Sequence, residues 1–133
     1  MIKLFIGGKG SGKTKTLIEL VNNAAGSSNG SVVCIEKGDK LRLDITYKAR
    51  LIDTDAYGVT DAEALYGFLA GILASNSDIT DLFVDSALKI CGNNTEAFEA
   101  MLAKLENITK DVKLVMTASI PVEECPVGIK AYA

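Results

Sequence analysis

Short apolar runs alternate along this chain with stretches of helical periodicity, and that alternation limits the possible folds more than any other feature. Residues 2–6 read as a short buried strand, and Val32-Val33-Cys34-Ile35 and Leu82-Phe83-Val84 are short apolar runs of the same kind. Val112 to Met116 is a further strand, and Val127 to Tyr132 predicts a last short one. Three helical patterns lie between them. Residues 13–25 bring Leu17, Leu20, Val21 and Ala24 to one face, with Gly26 as the stop. A second helix is expected to start at Thr60, where Thr60 and Glu63 have the spacing of a capping box. Its inward series is Leu65, Phe68, Leu69, Ile72 and Leu73. A third covers residues 95–108, with Phe98, Met101, Leu102, Leu105 and Ile108 inward. Strands that alternate with helices need crossover connections, so the expected fold is an α/β three-layer sandwich around a mostly parallel sheet. After the second strand, Leu41, Leu43, Ile45 and Tyr47 alternate with Arg42, Asp44, Thr46 and Lys48, which predicts a half-exposed strand or hairpin.

At 133 residues, one domain over residues 1–133 is expected, and 48% hydrophobic with 23% charged residues suits a globular chain rather than a disordered one. A net charge of −3 supplies no broad positive field, so no strong nucleic-acid signal is present. No apolar run has the length of a membrane span, and the opening residues lack the layout of a secretory signal. Cys34, Cys91 and Cys125 are far apart and form no CxxC pair, which argues against a disulfide framework or zinc cluster and for a reducing, cytoplasmic compartment. With no histidine in the chain, any chemistry must use carboxylates, lysine, hydroxyls, thiols or backbone amides.

One segment carries a specific chemical signal. Gly7-Gly8-Lys9-Gly10-Ser11-Gly12-Lys13-Thr14 satisfies G-x-x-x-x-G-K-[ST] and sits between a predicted strand and a predicted helix. Its glycines let the backbone turn tightly and aim consecutive N–H groups at phosphate oxygens. The following helix directs its positive dipole end at the same anion. Lys13 can reach the β- and γ-phosphates, and the Thr14 hydroxyl is placed to ligate Mg²⁺. The plainer alternative is a glycine-rich turn with no ligand.

Residues 7–14 resemble the Walker A motif of the P-loop NTPase superfamily, and the order of elements resembles a minimal ASCE-type core of the RecA-like and AAA kinds. Gly8 stands where the deviant MinD/ParA-type motif carries its second-position lysine, and Lys9 is at the third loop position, so that subgroup is disfavoured. The layout is also similar to that of thymidine kinase, whose zinc-binding cysteine pairs and Walker B glutamate are absent. The resemblance implies that Asp85, at the end of Leu82-Phe83-Val84, acts as the Walker B aspartate and holds Mg²⁺ through water. The plainer account of Asp85 is a turn cap. Asp81, at the start of the same run, is expected at the far edge of the sheet.

Many ASCE ATPases carry a glutamate directly after that aspartate, and this chain has Ser86. The best substitute base is Glu36, expected at the carboxyl end of the second strand, with a surface glutamate as the alternative. Asp53 and Asp55 are weaker candidates. Thr117 and Ser119, expected to follow the strand ending at Met116, resemble the sensor-1 position, although a turn or helix cap explains them equally well. The only arginines, Arg42 and Arg50, leave no phosphate-clamping lid of the small-molecule kinase type. Either could serve as a finger on a neighbouring subunit or stay solvated.

The expected function is binding of a nucleoside triphosphate with Mg²⁺, ATP or ADP being preferred on base rate. No Asn/Thr-Lys-x-Asp guanine-reading sequence is present. Hydrolysis is expected to be slow unless a protein partner or homo-oligomer formation accelerates it. The alternatives are a non-hydrolysing switch or scaffold and a small-molecule phosphotransferase.

Overall fold

Five strands pair in parallel, in the order β1-β5-β4-β2-β3. They are β1 (Ile2–Gly7), β2 (Ser31–Glu36), β3 (Arg50–Asp53), β4 (Ile79–Val84) and β5 (Lys113–Ser119). The helices are α1 (Lys13–Ser27), α2 (Ala62–Ser75), α3 (Ala87–Ile90), α4 (Thr95–Ile108) and α5 (Val127–Lys130). This computed structural model describes residues Met1–Ala133. No helix is long and apolar enough to cross a membrane.

Successive strand residues point to opposite faces, and the packing follows that parity. Val33, Ile35, Leu82, Val84, Leu114 and Met116 join a core of 24 buried residues with Leu65 and Leu69 of α2 and Phe98, Leu102 and Leu105 of α4. Their neighbours Val32, Cys34 and Phe83 face the other way, against Leu17 and Val21 of α1 in a cluster of 8. Helices therefore cover both faces of an all-parallel sheet, an α/β arrangement consistent with the three layers expected from the sequence. One edge is closed by the chain's last turn, where the Leu4 N–H donates to the Tyr132 carbonyl at 2.9 Å.

Four expectations need correction. The segment after β2 is neither a strand nor a hairpin. It is a series of turns in which Leu41, Ile45 and Ala49 are buried against α1, while Leu43 and Tyr47 are 91% and 92% exposed. Its burial therefore recurs every fourth residue, because only one side of the turns meets α1, and the alternation of polar and apolar residues does not describe it. Helix α2 is capped at Asp61, whose carboxylate accepts the Ala64 N–H, one residue beyond the expected Thr60. Residues Val127–Lys130 are helical, set up by Pro126 at φ −57 as the preceding residue. Gly26 lies inside α1, which runs on to Ser27 before Ser28 turns extended.

Two substitutions check this partition. Leu102→Ala, at a wholly buried site of α4, is expected to lower unfolding stability by about 2–5 kcal/mol. Leu43→Ser should stay within about 0.5 kcal/mol of wild type. Urea denaturation measures both, and a comparable loss for Leu43→Ser would restore the strand reading.

Candidate functional site

Strand registers assemble a polar row at the carboxyl edge of the sheet. Val84 lies opposite Met116, and Ile35 opposite Val84, so Thr117, Asp85 and Glu36 follow side by side one residue further on. Asp53 continues the row opposite Glu36. By alternation these side chains emerge on the face shared with Phe83 and Cys34, the side covered by α1. Asp81, in the first half of β4 and paired with Lys113 at the start of β5, lies away from this edge.

The Asp85 carboxylate is buried and fully engaged. Its Oδ1 accepts the Thr14 hydroxyl at 3.0 Å and the Thr117 hydroxyl at 2.8 Å, and its Oδ2 accepts the Ser86 hydroxyl at 3.3 Å. The Ser86 N–H donates in turn to Thr117 Oγ1 at 2.7 Å. Ser86 holds this position with φ 57, a left-handed backbone that a residue with a Cβ adopts at some cost. Thr117 and Ser119 lie within β5 rather than after it, because the strand continues three residues past Met116.

Between β1 and α1 the glycine-rich loop turns back on itself. A Cβ at Gly7 would come within 2.8 Å of Ser11 Oγ, and Gly12 caps α1 at φ 84, so neither position accommodates a larger residue without strain. The Lys13 ammonium folds over the loop, donating to the Gly8 carbonyl at 2.9 Å and to Ser11 Oγ at 3.1 Å. Partial burial lowers its pKa, with Asp85 pulling the other way. Helices α2 and α4 begin with a side-chain cap and an acidic residue in the first turn; α1 has neither. Its first N–H groups thus lack a side-chain partner, as an anion-receiving helix end requires.

Two contiguous cavities open along this edge. One, of about 660 Å³, is lined by Lys9, Gly10, Gly12, Lys13, Thr14, Lys15, Lys40, Ser86, Lys89, Asn93 and Ser119, with no hydrophobic residue. The other, of about 490 Å³, includes Thr14, Glu36, Asp85, Lys15, Lys40 and Lys89. The structure therefore brings Lys9, Lys13, Thr14, Asp85 and Glu36 to one edge of the sheet. Arg42 and Arg50 line neither cavity, and Asp55 is taken up by an ion pair with Lys37 at 2.8 Å. Sequence reasoning missed Lys15, Lys40 and the neighbouring Lys89 and Asn93; these three places stand tens of residues apart in the chain and meet only through the strand order. Any available signal was indirect, since Lys40 and Lys89 each follow a predicted strand within a few residues.

Glu36 is buried, and both its carboxylate oxygens accept the Leu41 N–H, at 3.1 and 3.3 Å. Burial holds its pKa above the ordinary value; the Leu41 and Lys40 N–H groups oppose that shift, and the charges of Asp85 and Asp53 add to it. Burial likewise pushes the Cys34 and Cys91 thiols up to about 12, and all three cysteines are free.

No protein-family model matches this chain, and no curated protein gives a significant match to it.

The raised Glu36 pKa has a stability consequence of definite sign. A folded-state value above the unfolded one means that the protonated carboxyl favours the fold. That contribution is complete below the ordinary value of 4.5 and is lost as pH rises through the folded value. Glu36→Gln cannot ionise, so it should gain stability relative to wild type between about pH 4 and pH 8. Urea melts at both pH values test this, and a pH-independent difference would refute it.

Proposed function

We propose that this protein binds a nucleoside triphosphate, ATP in the first instance, together with Mg²⁺, and hydrolyses it slowly. The reading extends the resemblance of residues 7–14 to the P-loop NTPase superfamily. The observation that carries it is the hydrogen bond between Thr14 and Asp85, 71 residues apart, at 3.0 Å. The resemblance assigns both residues to one cation, and a hydroxyl and a carboxylate are the hard oxygen donors that Mg²⁺ prefers. No group of three or more His, Cys, Asp or Glu side chains could hold a metal here. A bound ion would therefore take its remaining ligands from phosphate and water, as Mg²⁺ commonly does at nucleotide sites. When bound, it would supply positive charge that offsets the charge of the phosphates.

The chain's own residues would divide the remaining work. Loop N–H groups and the uncapped start of α1 receive phosphate oxygens, and Lys13 exchanges its contacts with Gly8 and Ser11 for the β- and γ-phosphates. Glu36 is the available base: it lines the cavity shared with Thr14 and Asp85, and its raised pKa favours proton acceptance. Slow turnover follows from its engagement with Leu41 and from a serine, Ser86, beside Asp85. The same two observations support a non-hydrolysing switch as the second reading. The wholly polar lining of the larger cavity supplies no stacking surface for a base. Three free, buried thiols suit a reducing, cytoplasmic setting.

Lys13→Ala is expected to weaken Mg·ATP binding by about 10- to 100-fold while leaving the circular dichroism spectrum unchanged. Affinity retained by a folded variant would remove the site. Phosphate-release kinetics then separate the two readings. Hydrolysis predicts measurable wild-type turnover that Glu36→Gln abolishes, whereas a switch shows none with or without the substitution.

A further inference from the structure

The protein contains one ion pair, Lys37 with Asp55. Elsewhere Lys104 rests over the Tyr66 ring at 4.1 Å and Lys3 over Phe5 at 5.6 Å. Lys15, Lys40 and Lys89 have no such partner, yet all three line both cavities at the carboxyl edge. They come from α1, from the turns after β2 and from α3, and all are exposed. Like charges gathered from three elements onto one rim repel each other unless an anion lies between them.

A triphosphate held by the glycine-rich loop, Lys13 and the start of α1 accounts for the 660 Å³ cavity. A cation on Thr14 and Asp85 would take one side of the adjoining 490 Å³ cavity, which leaves the part around Glu36, Lys37, Leu41 and Asp44 without an occupant. That volume lies within the range of about 300–1,000 Å³ typical of small-molecule sites. Only Ile18 and Leu41 give it apolar surface, so it suits a small and very polar ligand. The turn carrying Lys40 is fixed rather than loose. Glu36 accepts the Leu41 N–H, Asp53 accepts the Gly38 N–H at 2.7 Å, and Asn22 of α1 accepts the Thr46 N–H at 2.9 Å.

We infer that the cavity around Glu36 is a second oxyanion site, in which Lys15, Lys40 and Lys89 hold the phosphate group of a small phosphate monoester beside the nucleotide. The inference rests on the proposed nucleotide site for its count of two anions, because Lys15, Lys40 and Lys89 line both cavities; that these lysines hold a phosphate stands without it. It also restores the phosphotransferase alternative, since lysines stand where the sequence lacks clamping arginines. Glu36, Asp44 and Asp85 line the same cavity, so its anion meets three carboxylates as well as the three unpaired ammonium groups and Lys37, which is already paired with Asp55. Removing one carboxylate charge should therefore tighten binding.

Inorganic phosphate, followed by titration calorimetry and phosphorus NMR, is the probe. Lys13→Ala, which disables the loop, is expected to keep one phosphate site. Adding Lys40→Ala and Lys89→Ala to it should weaken that site by about 10-fold or more, with no change in the thermal melt. Glu36→Gln should strengthen it. In the wild type saturated with a nonhydrolysable triphosphate and Mg²⁺, one phosphate should still bind. Loss of all phosphate binding in Lys13→Ala, or full displacement by the triphosphate, overturns the second site. A wild type that binds phosphate in the lysine-dependent manner but no triphosphate would instead overturn the nucleotide reading and keep this one.

Discussion

A buried carboxylate sits where three elements meet, and the geometry of the whole carboxyl edge depends on how it is satisfied. Asp85 would cost several kcal/mol to bury alone, on the order expected for an unpaired ion in a low-dielectric interior. Hydroxyls of Thr14, Thr117 and Ser86 offset that cost, and each donor belongs to a different part of the chain. The result pins the start of α1, the end of β5 and the turn after β4 to a single point. Strand order makes this possible: β5 lies between β1 and β4, so Thr117 is interposed between the glycine-rich loop's own strand and Asp85. The strained backbone of Ser86 is compatible with the fold because its N–H and its hydroxyl both enter the same network.

What the sequence made legible was local. The central strands β2, β4 and β5 each contain a short apolar run, whereas β3, Arg50-Leu51-Ile52-Asp53, has too short a run to be read. Each long helix has its own stripe, and the octapeptide Gly7–Thr14 carries its turn chemistry in its glycines. Asp85 was readable for the same reason, since the acidic residue directly ending an apolar run must fall at the strand's carboxyl end. The segment 37–49 was not readable, because the burial of Leu41, Ile45 and Ala49 comes from α1 and not from any period within the segment. The α5 segment shares its apolar content with a short strand, and only the proline before it and its docking beside β1 decide otherwise. The lysine rim could not be read from spacing at all. Residues 15, 40 and 89 become neighbours only once the crossover order is known.

That rim also qualifies the argument from net charge. An overall charge of −3 describes the field far from the protein, where opposite charges average out. Close to the surface, within about 8–10 Å at ordinary ionic strength, separate patches keep their own sign. Lys9, Lys13, Lys15, Lys40 and Lys89 crowd one end of the sheet, and none is neutralised by an ion pair. An acidic protein can thus direct small anions to one edge while repelling long polyanions elsewhere, which is compatible with a nucleotide and unfavourable for nucleic acid.

Glu36 shows how closely the proposed chemistry and the local fold are coupled. Its carboxylate fixes the turn that carries Lys40 by accepting the Leu41 N–H with both oxygens. Protonation leaves one fewer anionic acceptor, so any step that sends a proton to Glu36 also loosens its hold on that turn. Lys40 lines both cavities and would feel the change directly. A base with this second duty works against itself. On the proposed reading, each proton accepted would weaken one anchor of the turn that carries Lys40, and restoring the carboxylate would restore it. Slow turnover would then belong, on the same reading, to the turn between β2 and β3 as much as to the missing acid at Ser86. A partner that held the 37–49 segment in place independently of Glu36 would free that carboxylate for chemistry, which gives acceleration by association a specific physical basis.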